Sequence, residues 1–170
     1  MDASSRCPSL SPVGPDHRHL IRQWLQRPEI WAFWGTASAA EAEVAVALTS
    51  PGALCRLIMA DGMPIGYAHA LDCALLGSDQ AAALGPGTWD CAVFVAAESH
   101  RGRGTGGIAL AALVDDVFGT TLALACVIRV PVRREAAVRA IEAAGFRWVR
   151  IDADPALGPV WVMRAERPVR

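Results

Sequence analysis

The chain contains no lysine, only one tyrosine and no long uninterrupted apolar run. Without lysine there is no Gly-Lys-Ser/Thr loop, which excludes a Walker-type nucleotide site. Arg, Asp, Glu or Gly interrupts each apolar stretch before it reaches the length of a membrane span. The N-terminus lacks a basic segment followed by an apolar one, so nothing in it predicts secretion, and we expect a cytoplasmic protein.

The five cysteines form no C-x-x-C pair, and their number is odd. This pattern argues against a disulfide framework and against a zinc cage, so we expect no metal and interpret the cysteines as reduced and mostly buried. The formal net charge is only -1. Such a balance predicts no general attraction to nucleic acid or to a membrane surface, so any anion site must be local.

The length of 170 residues fits one domain. We predict a loose arm over 1–16, with a short strand near 10–13, followed by a single domain over 17–170. Asp16 is expected to cap a helix that Pro28 ends, and a second helix is expected over 37–48.

The middle and second half of the chain alternate between extended and helical patterns. The predicted elements in chain order are a hairpin over 53–60 and 65–71, a buried strand over 89–96, a glycine loop, a helix, a strand over 121–130, a helix over 135–144 and two strands over 146–151 and 160–164. The helix after the glycine loop has apolar residues on one face: Leu110, Leu113, Val114, Val117 and Phe118. This order predicts a mixed α/β (α+β) sandwich, with helices flanking a mixed central sheet.

The glycine loop has the sequence Arg-Gly-Arg-Gly-Thr-Gly over 101–106. Glycine permits a positive φ and close ligand approach, and the free N–H groups at the start of the next helix favour an anion. A solvated surface turn is one alternative. A dinucleotide fingerprint is another, with Gly102-x-Gly104-x-x-Gly107 as the phosphate loop and Arg129 as partner of a 2′-phosphate. Too little chain follows the loop for the usual series of βαβ units.

The pattern Arg101-x-x-Gly104-x-Gly106 resembles the coenzyme A motif of the GNAT N-acetyltransferases, Gln/Arg-x-x-Gly-x-Gly/Ala. Residues 19–35 resemble the first helices of the aminoglycoside 6′-N-acetyltransferases and their siderophore-acetylating relatives. Pro64-Ile-Gly-Tyr-Ala-His69 resembles their third strand, and residues 139–146 resemble their last helix and Gly-Phe turn. The resemblance implies a GNAT fold, with its sheet splayed at the coenzyme site.

The function implied by this resemblance is acetyl transfer from acetyl-coenzyme A to a primary amine of a small molecule, by direct attack in a ternary complex. The aminoglycoside branch, which gives antibiotic resistance, is the most similar. Two alternatives stay open: a siderophore-pathway enzyme that acetylates a hydroxylysine-type amine, and a coenzyme-binding module with weakened catalysis. A homodimer is left open as well.

Site residues follow from the resemblance by position. Those expected at the coenzyme lie on the strand end, the loop and the last helix: Phe94, Val95, Ala96, Arg101, Gly102, Arg103, Gly104, Thr105, Gly106 and Arg134. The backbone N–H groups of the first three would polarise the thioester carbonyl and pair with pantetheine. Trp31, Trp34 and His69 are expected at the acceptor.

A base is expected because an amine with a pKa of about 10.4 is almost wholly protonated at neutral pH. Asp90 is the candidate, with a structural ion pair as the alternative role and His69 and His100 as other candidates. An ungapped count places Ala92 where the family has its acid, so Asp90 would serve if the strand bulges or the loop is longer. Ile141 stands where the family commonly has the tyrosine that protonates the leaving thiolate, which predicts slower turnover.

Overall fold

The computed structural model describes residues 7–169, which form one mixed sheet of seven strands flanked by helices. The strands are β1 Ser9–Pro12, β2 Leu54–Ala60, β3 Met63–Asp72, β4 Thr88–Val95, β5 Ala125–Pro131, β6 Arg147–Asp154 and β7 Gly158–Glu166. The helices are α1 Arg18–Leu25, α2 Pro28–Trp31, α3 Ala37–Thr49, α4 Ser78–Leu84, α5 Thr105–Thr120 and α6 Glu135–Ala143. The predicted α/β class is therefore confirmed. No helix in the described part of the chain is long and apolar enough to cross a bilayer.

The sheet order is β1-β2-β3-β4-β5-β7-β6. The pair β4–β5 is parallel, and the other neighbouring strands are antiparallel. Helices α5 and α6 cover one face, where Leu113 and Ile141 pack with Cys126 of β5. Helices α1, α2 and α3 cover the other face, where Trp24 packs with Phe94 of β4. The site described below lies on this second face and at the gap between β4 and β5.

Several predicted elements are confirmed, with local reasons in the sequence. The hairpin β2–β3 turns at Asp61 and Gly62, whose φ angles of 50° and 78° suit a two-residue hairpin turn. Thr36 caps α3, because its Oγ1 accepts a hydrogen bond of 3.1 Å from the amide of Ala39. The short first strand is present as β1. The first six residues of the predicted arm lie outside the described part of the chain, and the rest contains β1 and the start of a 3₁₀ turn.

Four local predictions were wrong or incomplete. Asp16 lies inside a 3₁₀ turn, Pro15–His17, and makes no cap, since α1 begins at Arg18. Pro28 begins the short helix α2 as its first residue, a position that needs no amide hydrogen. The strand expected over 121–130 begins at Ala125, and Leu122 before it is 94% exposed. Helix α4 was not predicted.

Candidate active site

The central feature of the site is a gap between β4 and β5. Their parallel pairing lasts for three residue pairs, the last of which joins Asp90 to Val127. Beyond this pair β4 continues to Val95 and β5 to Pro131 without facing each other in the ladder. The strands therefore separate after Asp90, which gives the splayed sheet expected from the sequence.

A cavity of about 620 Å³ opens at this gap. Its walls come from α2 and α3, both splayed strands, the glycine loop, the start of α5, and α6. Many of the predicted residues line it, including Asp90, Phe94, Val95, Arg101, Gly102, Gly104, Thr105, Gly106 and Trp34. Ala92 and Ile141, the two positions where the family's acid and tyrosine were expected, line it too. The structure thus brings residues from distant parts of the sequence into one cleft.

The glycine loop ends in free backbone donors at the start of α5. Gly104 is the N-cap of α5, with φ 78°, and Gly102 has φ 68°, so both hold left-handed conformations that favour glycine. The first amides of a helix, here those of Thr105 and its two successors, have no intrahelical acceptor. Because these residues line the cavity, their N–H groups and the helix dipole make its wall suited to an anion.

Gly107 has a packing role that the sequence did not predict. A Cβ added there would lie 2.9 Å from the carbonyl oxygen of Ala140 in α6, closer than real contacts allow. Gly107 therefore lets α5 and α6 approach each other beside the cavity.

The backbone of β4 presents fewer free amides than expected. The amide of Ala96 donates to the carbonyl of Ile65 at 2.8 Å, so it is not free to polarise a carbonyl. In an antiparallel pair successive residues point their N–H groups alternately toward the partner strand and away from it. Phe94 therefore also faces β3, whereas Val95 and the unpredicted Val93 face the gap. Of the three expected donors, only Val95 keeps that orientation.

Arg101 is held at the end of β4. Its Nε donates to the carbonyl of Val95 at 3.1 Å, and its Nη2 donates to that of Ala96 at 2.7 Å. The same Nη2 lies 3.6 Å from Oε1 of Glu29. The guanidinium thus fastens the loop to the strand end, with less freedom for phosphate than expected, while Arg103 in the loop is exposed.

Arg134 was expected at a coenzyme phosphate. Its guanidinium carbon lies 4.1 Å from the ring centroid of Phe33, and it stands at the N-cap of α6. Phe33 lines the cavity, whereas Arg134 packs behind that ring. In this arrangement Arg134 supports the aromatic wall.

Asp90 lies on the cavity wall at the last paired position of β4. Its pKa is raised from 3.8 to about 7, mainly because burial disfavours the charged form and also because Glu43 is nearby; His69 and Arg129 oppose the rise. The β3–β4 ladder shows no register shift between Trp89 and Val95, so Asp90 stays two residues from Ala92 on the same face. The irregularity lies between the ladder and the glycine loop instead, where the amides of Ala96 and Ala97 both donate to the carbonyl of Ile65, at 2.8 and 3.0 Å, in the manner of a bulge.

Glu43 and His69 form a pair beside Ala92. His69 is fully buried and lies opposite Ala92 in the ladder. Its Nε2 is 3.4 Å from Oε1 of Glu43, without hydrogen-bond geometry, and neither ring nitrogen has a hydrogen-bond partner in the described part of the chain. Glu43 itself lines the cavity, whereas His69 does not. His69 was expected at the acceptor but lies behind the cavity wall. Glu43 lies on α3, far from Asp90 in the sequence, and the fold brings the two side chains to the same cavity wall.

The aromatic residues expected at the acceptor divide into wall and core. Trp34 lines the cavity and packs edge-on against Phe94, with ring centroids 6.1 Å apart. Trp31 packs with the core between the first helices and the sheet.

Cys91, on the opposite face of β4, has a pKa raised well above its ordinary value by a hydrogen bond with Cys126 and by burial. Its thiol stays protonated, which argues against a covalent role.

A second cavity of about 480 Å³ adjoins the first along β5 and β6. Three residues line both cavities: Arg129, Asp154 and Val160. Arg150 and Asp152 form a two-pronged ion pair on its wall, with Nε to Oδ1 at 2.8 Å and Nη2 to Oδ2 at 3.2 Å. The cleft therefore continues past the gap into a space with charges of both signs.

The chain belongs to the GNAT acetyltransferase family, because the model of the acetyltransferase (GNAT) domain matches residues 15–151. The recognition made from the sequence is therefore confirmed. Comparison with curated proteins gave no match.

Solved structures support the same fold. An aminoglycoside acetyltransferase AAC(6')-Ib, in complex with paromomycin and acetyl-coenzyme A, superposes with a TM-score of 0.74 at 23% identity, covering 94% of this chain and 93% of that one. The aminoglycoside N(6')acetyltransferase of Legionella pneumophila gives 0.71 at 15% identity, covering 94% and 92%. A spermidine N-acetyltransferase SpeG chimera from Vibrio cholerae and hSSAT gives 0.70 at 12% identity, covering 94% and 95%.

Proposed function

We propose that this protein transfers the acetyl group of acetyl-coenzyme A to a primary amine of a small molecule, by direct attack within a ternary complex. The observation that carries the proposal is the cavity at the β4–β5 gap, whose wall holds both the free amides at the start of α5 and the carboxylate of Asp90. The related AAC(6')-Ib structure holds acetyl-coenzyme A, and the same fold supports a similar placement here.

The coenzyme would enter along β4. Its diphosphate would accept hydrogen bonds from the first amides of α5, beside Gly102 and Gly104, with Arg103 adding positive charge. Its pantetheine would pair with the edge of β4 that faces the gap, as an added strand does. The amide of Val95 points the right way to polarise the thioester carbonyl.

Asp90 would accept the proton that the amine loses as the new C–N bond forms. Its pKa of about 7 leaves a large fraction ionised at neutral pH and makes it a better proton acceptor than an ordinary carboxylate. Glu43 lines the same wall and adds negative charge that attracts an ammonium group. The coenzyme thiolate, whose conjugate acid has a pKa of about 8.5, can leave without a tyrosine at Ile141.

Acceptors of the aminoglycoside kind are the first to test, since AAC(6')-Ib binds them and the cleft carries Glu43, Asp90 and Asp154. A hydroxylysine-type amine from a siderophore pathway is the second candidate. Homodimerisation and a cytoplasmic location remain part of the proposal.

The test measures two quantities. Calorimetry with coenzyme A gives the affinity of the anion cradle, which is the glycine loop with the first amides of α5. Turnover is measured as the release of free thiol from acetyl-coenzyme A with each of a panel of amines, and the acetylated product is identified by mass. We expect both binding and acceptor-dependent thiol release. Binding without release from any amine would instead favour a coenzyme-binding module with weakened catalysis, which Ala92 and Ile141 support. Absence of binding would contradict both.

A further inference from the structure

Arg129 is the one exposed residue of an otherwise buried strand. The six other residues of β5 are buried, as expected for a central strand covered on both faces. Arg129 follows Val127 by two positions, so its side chain lies on the same face as Asp90, the partner of Val127. A charged side chain in the middle of a sheet is tolerated there because it opens into the two cavities.

Arg129 also differs from the other arginines that line the cavities. Arg101 is bound to the carbonyls at the end of β4, and Arg150 is paired with Asp152. Within residues 7–169, Arg129 makes neither a hydrogen bond nor an ion pair, although Asp90 and Asp152 both lie close enough for its charge to lower their pKa. Its planar set of donors is thus available to a ligand.

The position of Arg129 relates it to the reacting centre. Because Asp90 pairs with Val127 in parallel, Arg129 on β5 is level with Ala92 on β4, across the gap. It also lies on the wall shared by the two cavities. A molecule whose amine is near Asp90 and Glu43 therefore has Arg129 beside its path into the second cavity.

We propose that the acceptor carries a carboxylate as well as its amine, and that Arg129 binds this carboxylate. The proposal rests on the proposed function and narrows its substrate class to amino-acid-like amines, which include the hydroxylysine-type candidate and exclude the aminoglycosides. A carboxylate fits the guanidinium fork with two parallel hydrogen bonds. A doubly charged phosphate is disfavoured relative to a singly charged carboxylate, because Asp79, Asp152 and Asp154 line the second cavity and repel the larger charge more strongly. A purely cationic acceptor leaves Arg129 unpaired and repelled.

The experiment compares acceptors that differ in one carboxylate: lysine with cadaverine, and γ-aminobutyrate with butylamine. Thiol release is measured at saturating acetyl-coenzyme A and on the high-pH plateau of each variant, because loss of the Arg129 charge also raises the pKa of Asp90. We expect a higher kcat/KM for the carboxylated member of each pair. In R129Q that kcat/KM should fall about ten- to a hundredfold, mostly through KM, with little change for the plain amines. R129E should reverse the preference within each pair.

R139Q is the matched control, because Arg139 is exposed on α6, pairs with Glu135 and lines neither cavity. It should leave both kcat/KM values unchanged. Coenzyme A affinity of R129Q should match that of the wild type, since Arg129 is exposed and makes neither a hydrogen bond nor an ion pair within residues 7–169. The thermal midpoint should match at pH 5, where Asp90 is mostly protonated in both proteins.

An equal loss of kcat for every acceptor in R129Q would overturn the proposal, because it would mean that Arg129 acts on the reacting atoms. An aminoglycoside with a higher kcat/KM than any carboxylated amine would overturn it as well. If no amine is acetylated while coenzyme A still binds, the proposed function fails by itself. Calorimetry of γ-aminobutyrate on the coenzyme complex then decides: weaker binding in R129Q than in R139Q supports the anion site, and equal binding refutes it.

Discussion

Replacing Asp90 with Asn tests the base through both the rate and the stability. In the wild type, a general base with a pKa of about 7 makes kcat/KM rise with pH, reach half its plateau near pH 7 and level off above about pH 8. At pH 6 most Asp90 side chains are protonated, so kcat/KM should fall well below its plateau. D90N should lower the plateau by about a hundredfold or more and remove this limb of the profile.

Stability gives a readout that needs no substrate. The pKa of Asp90 is raised in the folded protein, so the folded state binds its proton more tightly than the unfolded chain does. The protonated side chain therefore contributes its whole share of the free energy of unfolding below about pH 4, and this contribution is lost as the pH rises through about 7. The change from 3.8 to about 7 corresponds to about 4 kcal/mol, an upper bound because the cavity admits water.

The assay is thermal unfolding of the wild type and D90N from pH 4 to pH 8, beside the rate profiles. Relative to D90N, the wild type should lose stability across this range. E43Q removes a like charge, so it should move the midpoint of the wild-type rate profile to lower pH. E41Q is its control, because Glu41 lies on the same helix, bonds to Gln26 and does not line the cavity. A rate profile of unchanged shape in D90N would refute the role of Asp90.

Three further substitutions test the rest of the cleft. G104V should lower coenzyme A affinity at least tenfold in calorimetry while costing about 1–2 kcal/mol of stability, since a branched residue is strained at φ 78°; unchanged affinity would contradict the anion cradle. G107V should lower the free energy of unfolding by about 1–3 kcal/mol through its clash with Ala140, measured by urea denaturation, and wild-type stability would contradict the packing role. I141Y places a phenol on the cavity wall and should raise kcat several-fold in the thiol-release assay without changing coenzyme affinity; no gain would show that thiolate departure is not limiting.

The elements of this fold were predictable where the pattern is local. The hairpin at Asp61-Gly62, the strand before the glycine loop and the amphipathic helix after it follow from periodicity and turn chemistry over a few residues. Leu122 and Leu124 misled the prediction of β5, because their apolar character suggested a strand although both are exposed in the connection. The position of β7 between β5 and β6 depends on contacts distant in sequence, which no local pattern contains.

The site was predictable in part for the same reason. The glycine loop and Asp90 lie on one continuous segment, so a motif could indicate them together. Glu43 comes from α3 and Arg129 from β5, and only the packed sheet brings them to the same wall. The amide of Ala96 is occupied because of its ladder position opposite Ile65, which residue types do not encode.

The absence of an acid at Ala92 and the presence of Arg129 have a joint consequence. Because these positions are level across the gap, an acid at 92 would offer the guanidinium an ion-pair partner; alanine offers none and leaves space for the acceptor. The carboxylate lies instead at Asp90, where β4 and β5 are still paired and the backbone is held on both sides. The same face of the sheet thus carries a negative group, Asp90, and a positive group, Arg129, at different positions along the strands. An acceptor that carries both an amine and a carboxylate would be oriented by that separation, with its amine toward Asp90.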